Sequence, residues 1–457
     1  MKRHTHVALI ATLMSATAWG QEVSLYGTTM AQMWKSEDPG FNKAAYRPAT
    51  QYLGIDATKL GSDNLSLHLF GWGKTDLSDS SNFDGTKTAG YLNYGYLQYQ
   101  FSKANAELKA GRFTVNQGTG FEQVDGVSGR TDLLNGFTLS AFAGKPVLFK
   151  AGDLAHLSGG AAQHNYETQR DVIFGSRLGW RPSSTGEIGI SYLQDGSKTA
   201  KDMKIAQPVD YTRRQAALDL TFVPTSFFDF RGRTIYDVSN ERVNVAEHDW
   251  TATLKVGSQI LVSGNFAQRE FLYYYAGTNL PSLFRQNDND RFDAWGGSVT
   301  WNAPLSIQLV ADYRHTHRET YGEVNKAGGE LRWANAEKTM MVGASGHVAN
   351  AAKTLLVDSA APFRSLSYGE ARAWAMVTKG KFTASLDGIL QKYRASNPYL
   401  NGLKNLYEVV GSLGYEVTKN VKVSGDLSHA TTAVSKNETR GLLRAEYRFG
   451  MASKGGR

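Results

Sequence analysis

Short segments of alternating apolar and polar residues run through this chain from about residue 23 almost to its C-terminus. In the segment that starts at Leu65, every second residue through Gly71 is apolar or glycine, and the segment that starts at Leu305 repeats this through Tyr313. Because the side chains of a strand point alternately to opposite faces, each such segment has one apolar face. The pattern therefore predicts an all-β protein built from many amphipathic strands.

The N-terminus has the three parts of a secretory signal peptide in their usual order. Lys2 and Arg3 precede an apolar stretch at residues 7–14, and small residues around Ala18 and Gly20 form a cleavage site. We expect residues 1–20 to be removed on export. The chain of 457 residues contains no cysteine, so it can form no disulfide and cannot itself attach a c-type haem.

The rest of the chain contains no stretch of the roughly 18 apolar residues that a membrane helix needs. Its mean hydropathy is −0.38, which is too polar for a helical membrane protein. A membrane barrel is compatible with that value, because only every second strand residue meets lipid. We therefore expect a transmembrane antiparallel up-and-down β-barrel, with a soluble β-sandwich as the alternative.

The connections between segments alternate between short and long, as in barrels with short periplasmic turns and long external loops. This alternation predicts about 22 strands, within a range of 20 to 24. To reach that number we place two strands in residues 137–154, joined by a turn at residues 144–146. Residues 116–133 are interpreted as one of the long loops, and residues 276–290 as another.

The polar faces of the predicted strands carry charged residues that an apolar environment would not tolerate. We therefore expect these residues to line an aqueous lumen. They are Arg177, Arg213, Asp219, Arg231, Arg233, Asp249, Lys255, Asp312, Arg314, Lys422, Asp426, Arg444 and Glu446.

The last predicted strand ends in two aromatic residues on its apolar face, Tyr447 and Phe449. It resembles the β-signal that the outer-membrane assembly machinery reads, although Arg444 stands where that pattern favours glycine. We accordingly divide the chain into a signal peptide at 1–20, a barrel at 21–449 and a short tail at 450–457.

Taken together, residues 23–449 resemble the Gram-negative outer-membrane porin-like barrels. That resemblance implies location in the bacterial outer membrane, contact with its lipid, and a lumen filled by water or by protein. Because the first strand directly follows the predicted cleavage site, we expect no plug domain before it.

The resemblance leaves two functions open. The first is a porin or channel for passive transport of small polar solutes or ions, with Arg231 and Arg233 in a positive wall opposite carboxylates such as Asp219. Loops folded inward, among them residues 116–133, would narrow it. The second is a scaffold that sheathes multihaem c-type cytochromes of a porin–cytochrome conduit, whose haems all come from partners.

An enzyme is the least favoured class, because the sequence has none of the common hydrolase, metalloprotease or phosphate-binding motifs. His315 and His317 stand two residues apart, and Asp288, Asp290 and Asp293 lie close together, but neither set matches a metal-site motif. We expect no cofactor. Basic residues do not cluster, so nucleic acid is not an expected partner.

Overall fold

The computed structural model is a single antiparallel sheet that closes on itself. It describes residues 22–36, 44–78, 88–147, 172–196, 213–239, 243–270, 291–318, 322–352, 367–394, 402–432 and 435–452, without the side chains of 36, 44–46 and 451–452. Within these ranges no helix is long and apolar enough to cross a membrane. The structure is a barrel of 22 strands, the number that the sequence predicts.

The first half of the barrel contains eleven strands. They are β1 (Glu22–Ser36), β2 (Ala44–Tyr46 and Pro48–Thr58, one strand interrupted at Arg47), β3 (Leu65–Asp76), β4 (Thr88–Phe101), β5 (Ala106–Gln117), β6 (Gly120–Asp132), β7 (Phe137–Pro146), β8 (Ile173–Ser183), β9 (Gly186–Asp195), β10 (Arg213–Thr225) and β11 (Phe228–Asp237). A single 3-10 turn at Leu134–Gly136 joins β6 to β7.

The second half contains eleven more strands. They are β12 (Asn244–Val256), β13 (Ile260–Glu270), β14 (Arg291–Ala303), β15 (Ile307–Arg318), β16 (Gly322–Ala334), β17 (Met340–Ala351), β18 (Tyr368–Lys379), β19 (Phe382–Tyr393), β20 (Asn405–Thr418), β21 (Val421–Thr431) and β22 (Glu438–Ala452).

Each strand pairs with the next one in the chain, and β22 pairs with β1 over fifteen residue positions, from Glu22 with Ala452 to Ser36 with Glu438. This last pairing removes both free edges of the sheet. Without free edges, the backbone donors and acceptors of the wall bond to one another, as a structure inside a bilayer requires.

The outer surface of the barrel is apolar in the way that the alternation predicts. Leu178 and Trp180 on β8 are 47% and 43% exposed, and Leu386 on β19 is 57% exposed. At the end with the short turns, exposed aromatic side chains form a band. They are Tyr99, Phe101, Phe137, Trp180, Phe222, Trp301, Phe382, Tyr415 and Phe449. An apolar exterior with an aromatic girdle makes this a transmembrane barrel of the outer-membrane type.

Two parts of the sequence interpretation are wrong. One overlooks a strand and the other adds one, so the predicted number of strands is unchanged. Residues 116–133 are not a long loop, because β5 and β6 form a hairpin with a two-residue turn at Gly118 and Thr119. Residues 144–146 are not a turn, because Gly144 pairs with Gly126 on one side and with Ile173 on the other. The missing strand is therefore β6. Residues 148–171 and 276–290 lie outside the described residues.

The far end of the β5–β6 hairpin leaves the barrel wall. Pairing between β4 and β5 stops at Gly95 with Arg112, and pairing between β6 and β7 stops at Val124 with Pro146. Gly111 marks the departure, because its φ of +125° favours glycine and a Cβ there would strike the backbone of β4. We call residues 113–123 the hairpin tip; their ladder partners all lie within the hairpin, and the Gln123 carbonyl also accepts a hydrogen bond from the Val147 N–H at 2.9 Å.

The hairpin tip lies over the inner face of the wall and forms an apolar core with it. On the hairpin, Phe113 and Val124 are 1% and 0% exposed, and they pack with Val115 against the wall. The wall contributes Phe142 from β7, Ile173 from β8 and Leu193 from β9. These residues occupy inward strand positions that would otherwise face the lumen. A hydrophobic layer inside the barrel therefore holds the hairpin tip against its wall.

We expect Leu386→Arg to impair barrel assembly far more than Ser385→Arg. Leu386 faces outward, where an arginine near the bilayer midplane costs roughly 2–4 kcal/mol, whereas its neighbour Ser385 faces the lumen. The measurement is the folded fraction in the membrane, read from heat-modifiable gel migration. Equal losses in the two variants would contradict the assignment of the faces.

Candidate functional site

The thirteen charged residues predicted to line the lumen all stand at strand positions that alternate with the exposed apolar rows. On β10, for example, Leu218 and Phe222 are exposed outside, and Arg213 and Asp219 occupy the opposite face. The same alternation places Asp312 and Arg314 beside the outward Tyr313 on β15. These positions put the charges on the inner side of the wall.

The charges on β8 to β10 form a local network. The Arg177 guanidinium donates to the Asp219 carboxylate at 2.5 and 3.0 Å and to Glu187 at 2.9 Å. Arg181, nearer the end of the same strand, donates to the other oxygen of Glu187. Each of these bonds joins neighbouring strands or spans one strand, so the network ties the wall together.

Arg231, Arg233 and Asp219 do not face one another across the lumen, and this part of the sequence interpretation is wrong. Arg233 is the register partner of Asp219 on the adjacent strand. Arg231 binds Asp229 two residues away at 2.8 Å. Alternation along a strand correctly predicts that all three residues face inward. Their positions around the barrel depend on which strands pair, and the pairing of β10 with β11 puts all three on one wall.

Several acidic partners of these arginines were missed in the sequence. Glu247 is 1% exposed and binds Arg233 at 2.7 Å and Arg269 at 2.8 Å. Glu187 alternates with the outward Ile188 and could have been found by the same pattern that identified Arg177. Glu122 was missed because its strand was interpreted as a loop.

A second network lies on the wall formed by β15 to β19, which includes Asp312. The imidazole of His347 stands 3.0 Å from an Asp312 carboxylate oxygen and 3.7 Å from Glu370. Glu370 also accepts hydrogen bonds from Lys326 at 3.1 Å and from the Gln391 amide at 2.8 Å. Here too the charges are balanced between neighbouring strands.

The hairpin tip is seated on the first of these charged walls. Glu122 forms an ion pair with Arg213 of β10, whose guanidinium also lies 3.4 Å from Asp195. The Gln117 amide donates to the Ser140 hydroxyl at 3.0 Å. The ion pair reaches β10, which does not pair with the hairpin, and the Gln117 bond reaches β7 at Ser140, whose register partner in the hairpin is Arg130 rather than Gln117.

The seat lies near mid-height, because Ser191 and Asp219 are near the middle of their strands and a Cβ on Gly118 would touch both. Between the tip and the wall lies a polar space of about 800 Å³, lined among others by Asn116, Arg177 and Arg233. The lumen is therefore narrowed at mid-height by a hairpin with charged groups beside it.

The candidate metal ligands do not form a site in the part of the chain that is described. His315 lies on the outer face, where its ring stacks on Trp295 and its Nδ1 contacts Asn325 at 2.8 Å. Asp293 pairs with Arg291 at 2.9 Å, while Asp288 and Asp290 fall outside the described residues. No three His, Asp or Glu side chains converge among the residues with described positions.

Comparison with known proteins gives no family profile and no curated protein that matches the chain. Solved structures do match its fold over nearly its whole length. The translocation pore of the P pilus usher PapC has a TM-score of 0.46 at 8% identity and covers 93% of this chain and 99% of that one.

Two Pseudomonas aeruginosa outer-membrane proteins match in the same way. OccK9 (OpdG) has a TM-score of 0.41 at 12% identity and covers 94% of this chain and 98% of that one. OprD has a TM-score of 0.41 at 10% identity and covers 94% and 95%. Identities and TM-scores this low do not extend to function, so the function must be argued from the residues of this chain.

We expect Gly118→Cys combined with Ser191→Cys to form a disulfide that locks the hairpin tip to the wall. A Cβ on Gly118 stands 3.4 Å from the Ser191 Cβ, close to the spacing of disulfides, and the chain has no other cysteine. The measurement is the fraction of free thiol in folded barrel under oxidising conditions.

The matched control is Gly118→Cys with Ile190→Cys, because Ile190 lies next to Ser191 but is exposed on the outer face. This pair should keep two free thiols. Cross-linking in the control, or none in the first pair, would show that the tip is not seated on β9.

Proposed function

We propose that this protein is an outer-membrane channel for passive passage of small polar solutes or ions. The observation that carries the proposal is the hairpin tip, which narrows a charged lumen without filling it. A barrel of 22 strands is wide, and an open lumen of that width would be an unselective hole. An inward hairpin seated at mid-height converts such a barrel into a narrower passage.

The charges of the lumen support transport of polar rather than apolar solutes. Most of the described charged groups on the inner wall are paired, which makes the surface hydrophilic with little net field. Lys255 and Arg314 make no ion pair with any described residue, so they remain available to passing solutes. Passage needs no chemical step on the solute.

The hairpin also bears on the alternative function, a scaffold around multihaem cytochromes. A sheath needs a lumen free for its partner, whereas here a hairpin covers the inner faces of β7 to β10. This favours the channel over the sheath. We keep the cytochrome partner as an outcome that the experiment below can detect.

The proposed partners in assembly are the outer-membrane lipid and the outer-membrane assembly machinery. The final strand presents Leu443 and Phe449 outward, at 66% and 42% exposure, in the segment that resembles a β-signal. It also closes the barrel against β1, so its recognition would coincide with the last pairing step.

We expect Val124→Asp to release the hairpin tip and to raise the single-channel conductance. The variant puts a carboxylate into a fully buried apolar cluster, and an unpaired buried charge costs several kcal/mol, which opposes the apolar packing that holds the tip against the wall. Phe121→Asp is the control, because Phe121 lies in the same hairpin but is 70% exposed. Similar conductance in Val124→Asp and the unmodified barrel would argue against the hairpin as the constriction.

The direct test of the function is to purify the native complex and measure both conductance in planar bilayers and haem absorbance. A channel gives steady conductance without co-purifying haem. A barrel that does not conduct and carries a tightly bound haem protein would overturn the channel in favour of the sheath.

A further inference from the structure

The inner face of β1 to β4 differs from the charged walls because it presents aromatic rings to the lumen. Phe70 lies among three tyrosines, with ring centres 6.2 Å from Tyr26, 6.3 Å from Tyr52 and 5.5 Å from Tyr94. The ring planes deviate from that of Phe70 by only 15°, 19° and 24°. We call these four rings the aromatic patch.

The strand geometry holds the aromatic patch in place. The Tyr26 and Tyr94 hydroxyls are 2.7 Å apart, which fixes two rings on strands that are not neighbours. Gly54 faces the Tyr26 ring so closely that a Cβ there would clash with it. An extra residue in β4, between the partners of Phe70 and Gly71, shifts the alternation, so that Leu92 faces outward while Tyr94 faces the lumen.

All four rings remain partly exposed, so they are not an internal core. This contrasts with Phe113 of the hairpin and Phe142 of the wall, which are both buried in the core between hairpin and wall. An apolar ring exposed to water in a polar lumen is unfavourable, and that penalty is removed when a ligand covers the ring. The patch therefore has the properties of a binding surface for another ring.

A cavity of about 800 Å³ lies beside the patch, between β1 to β3 and the short-turn end of β20 to β22. Its aromatic side consists of Tyr26, Tyr52 and Phe70. The rest of its lining includes three cations and three anions. They are Lys419, Lys422, Arg448, Asp56, Glu416 and Glu446. Of these, Lys419, Lys422, Arg448 and Glu416 make no ion pair with any residue in the described ranges, whereas Asp56 pairs with His68 and Glu446 with Arg444.

We propose that this cavity is a binding site for an uncharged sugar ring on the lumen wall. The inference rests on the proposed channel and names a solute class for it. One face of a sugar ring is made of C–H groups that stack on aromatic rings, and its edge carries hydroxyls that both donate and accept hydrogen bonds.

The balance of charges distinguishes a sugar from other ring-bearing solutes. Unpaired donors on Lys422 and Arg448 and an unpaired acceptor on Glu416 suit hydroxyl groups, which use both. An aromatic carboxylate would meet Glu416 and Glu446 as well as the cations, and an organic cation would meet the cations. Counted over all six groups the signs are equal, but three of the four unpaired groups are cations, so benzoate is the probe that tests an anionic ring against the sugar.

The experiment uses the full barrel in planar bilayers, with maltotriose as the sugar, polyethylene glycol of matched mass as a ringless polar solute, and benzoate as a charged ring. We expect maltotriose to reduce the ion current at concentrations where the other two probes do not. Calorimetry on the detergent-solubilised barrel measures the same binding without requiring conduction.

Phe70→Leu should weaken maltotriose binding by about tenfold, because it removes the central stacking ring and keeps an apolar side chain. Tyr52→Leu serves if Phe70→Leu does not fold, and Phe382→Leu, on the outer face, is the matched control that should leave binding unchanged. Equal effects of maltotriose and polyethylene glycol, binding of benzoate alone, or unchanged affinity in both patch variants would each overturn the sugar site.

The failure of this inference and that of the channel can be told apart. A barrel that conducts but does not bind maltotriose would leave the channel and remove the sugar site. A barrel that does not conduct would contradict the channel, and calorimetry would still decide whether the aromatic patch binds the sugar.

Discussion

Closure of the backbone hydrogen-bond ladder is the constraint on which the rest of this structure depends. In a bilayer an unpaired N–H or C=O group has no water to bind, so a sheet can span it only if its first and last strands meet. Here that meeting is the pairing of Glu22–Ser36 with Glu438–Ala452. Once the wall is closed, each side chain faces either lipid or lumen. Alternate residues along a strand therefore meet two different solvents, and the sequence alternates between apolar and polar residues accordingly.

The hairpin tip departs from this ladder, and side chains replace the bonds that it gives up. Where β5 leaves β4, the Arg112 guanidinium donates to the Leu92 carbonyl at 3.0 Å, and the Gln123 amide donates to the Asn93 carbonyl. Arg112 also binds Asp125 across the hairpin. The edge of β4 is thus closed by polar side chains while the apolar side of the hairpin packs against the wall. The hairpin can leave the ladder because the β4 carbonyls bind polar side chains and the apolar side chains of the hairpin pack against the wall.

The sequence predicts those features that depend on the alternation of residues along a strand. It does not predict those that depend on the hairpin tip, which forms a second layer inside the barrel wall. Leu178, Leu218 and Leu386 could be assigned to the outer face because nothing but lipid competes for them. Phe142 and Ile173 face inward from the wall and are apolar, which breaks the rule of a polar lumen, and only the hairpin that packs on them explains why. The turn at Gly118 has no long apolar run beside it, so a strand and a loop are equally consistent with its sequence.

Because most charged residues of the inner wall are paired with one another, they are not the groups expected to select solutes. Arg177, Arg233 and Glu247 are engaged by neighbouring strands, so a passing solute competes with bonds that are already made. Charged groups without such partners, and apolar rings exposed to water, gain more binding free energy from contact with a solute. In this barrel those are the unpaired charges beside the short-turn end and the rings of β1 to β4. Charge density in a lumen therefore indicates where the wall is held together, and exposed rings with free polar groups indicate where a solute is recognised.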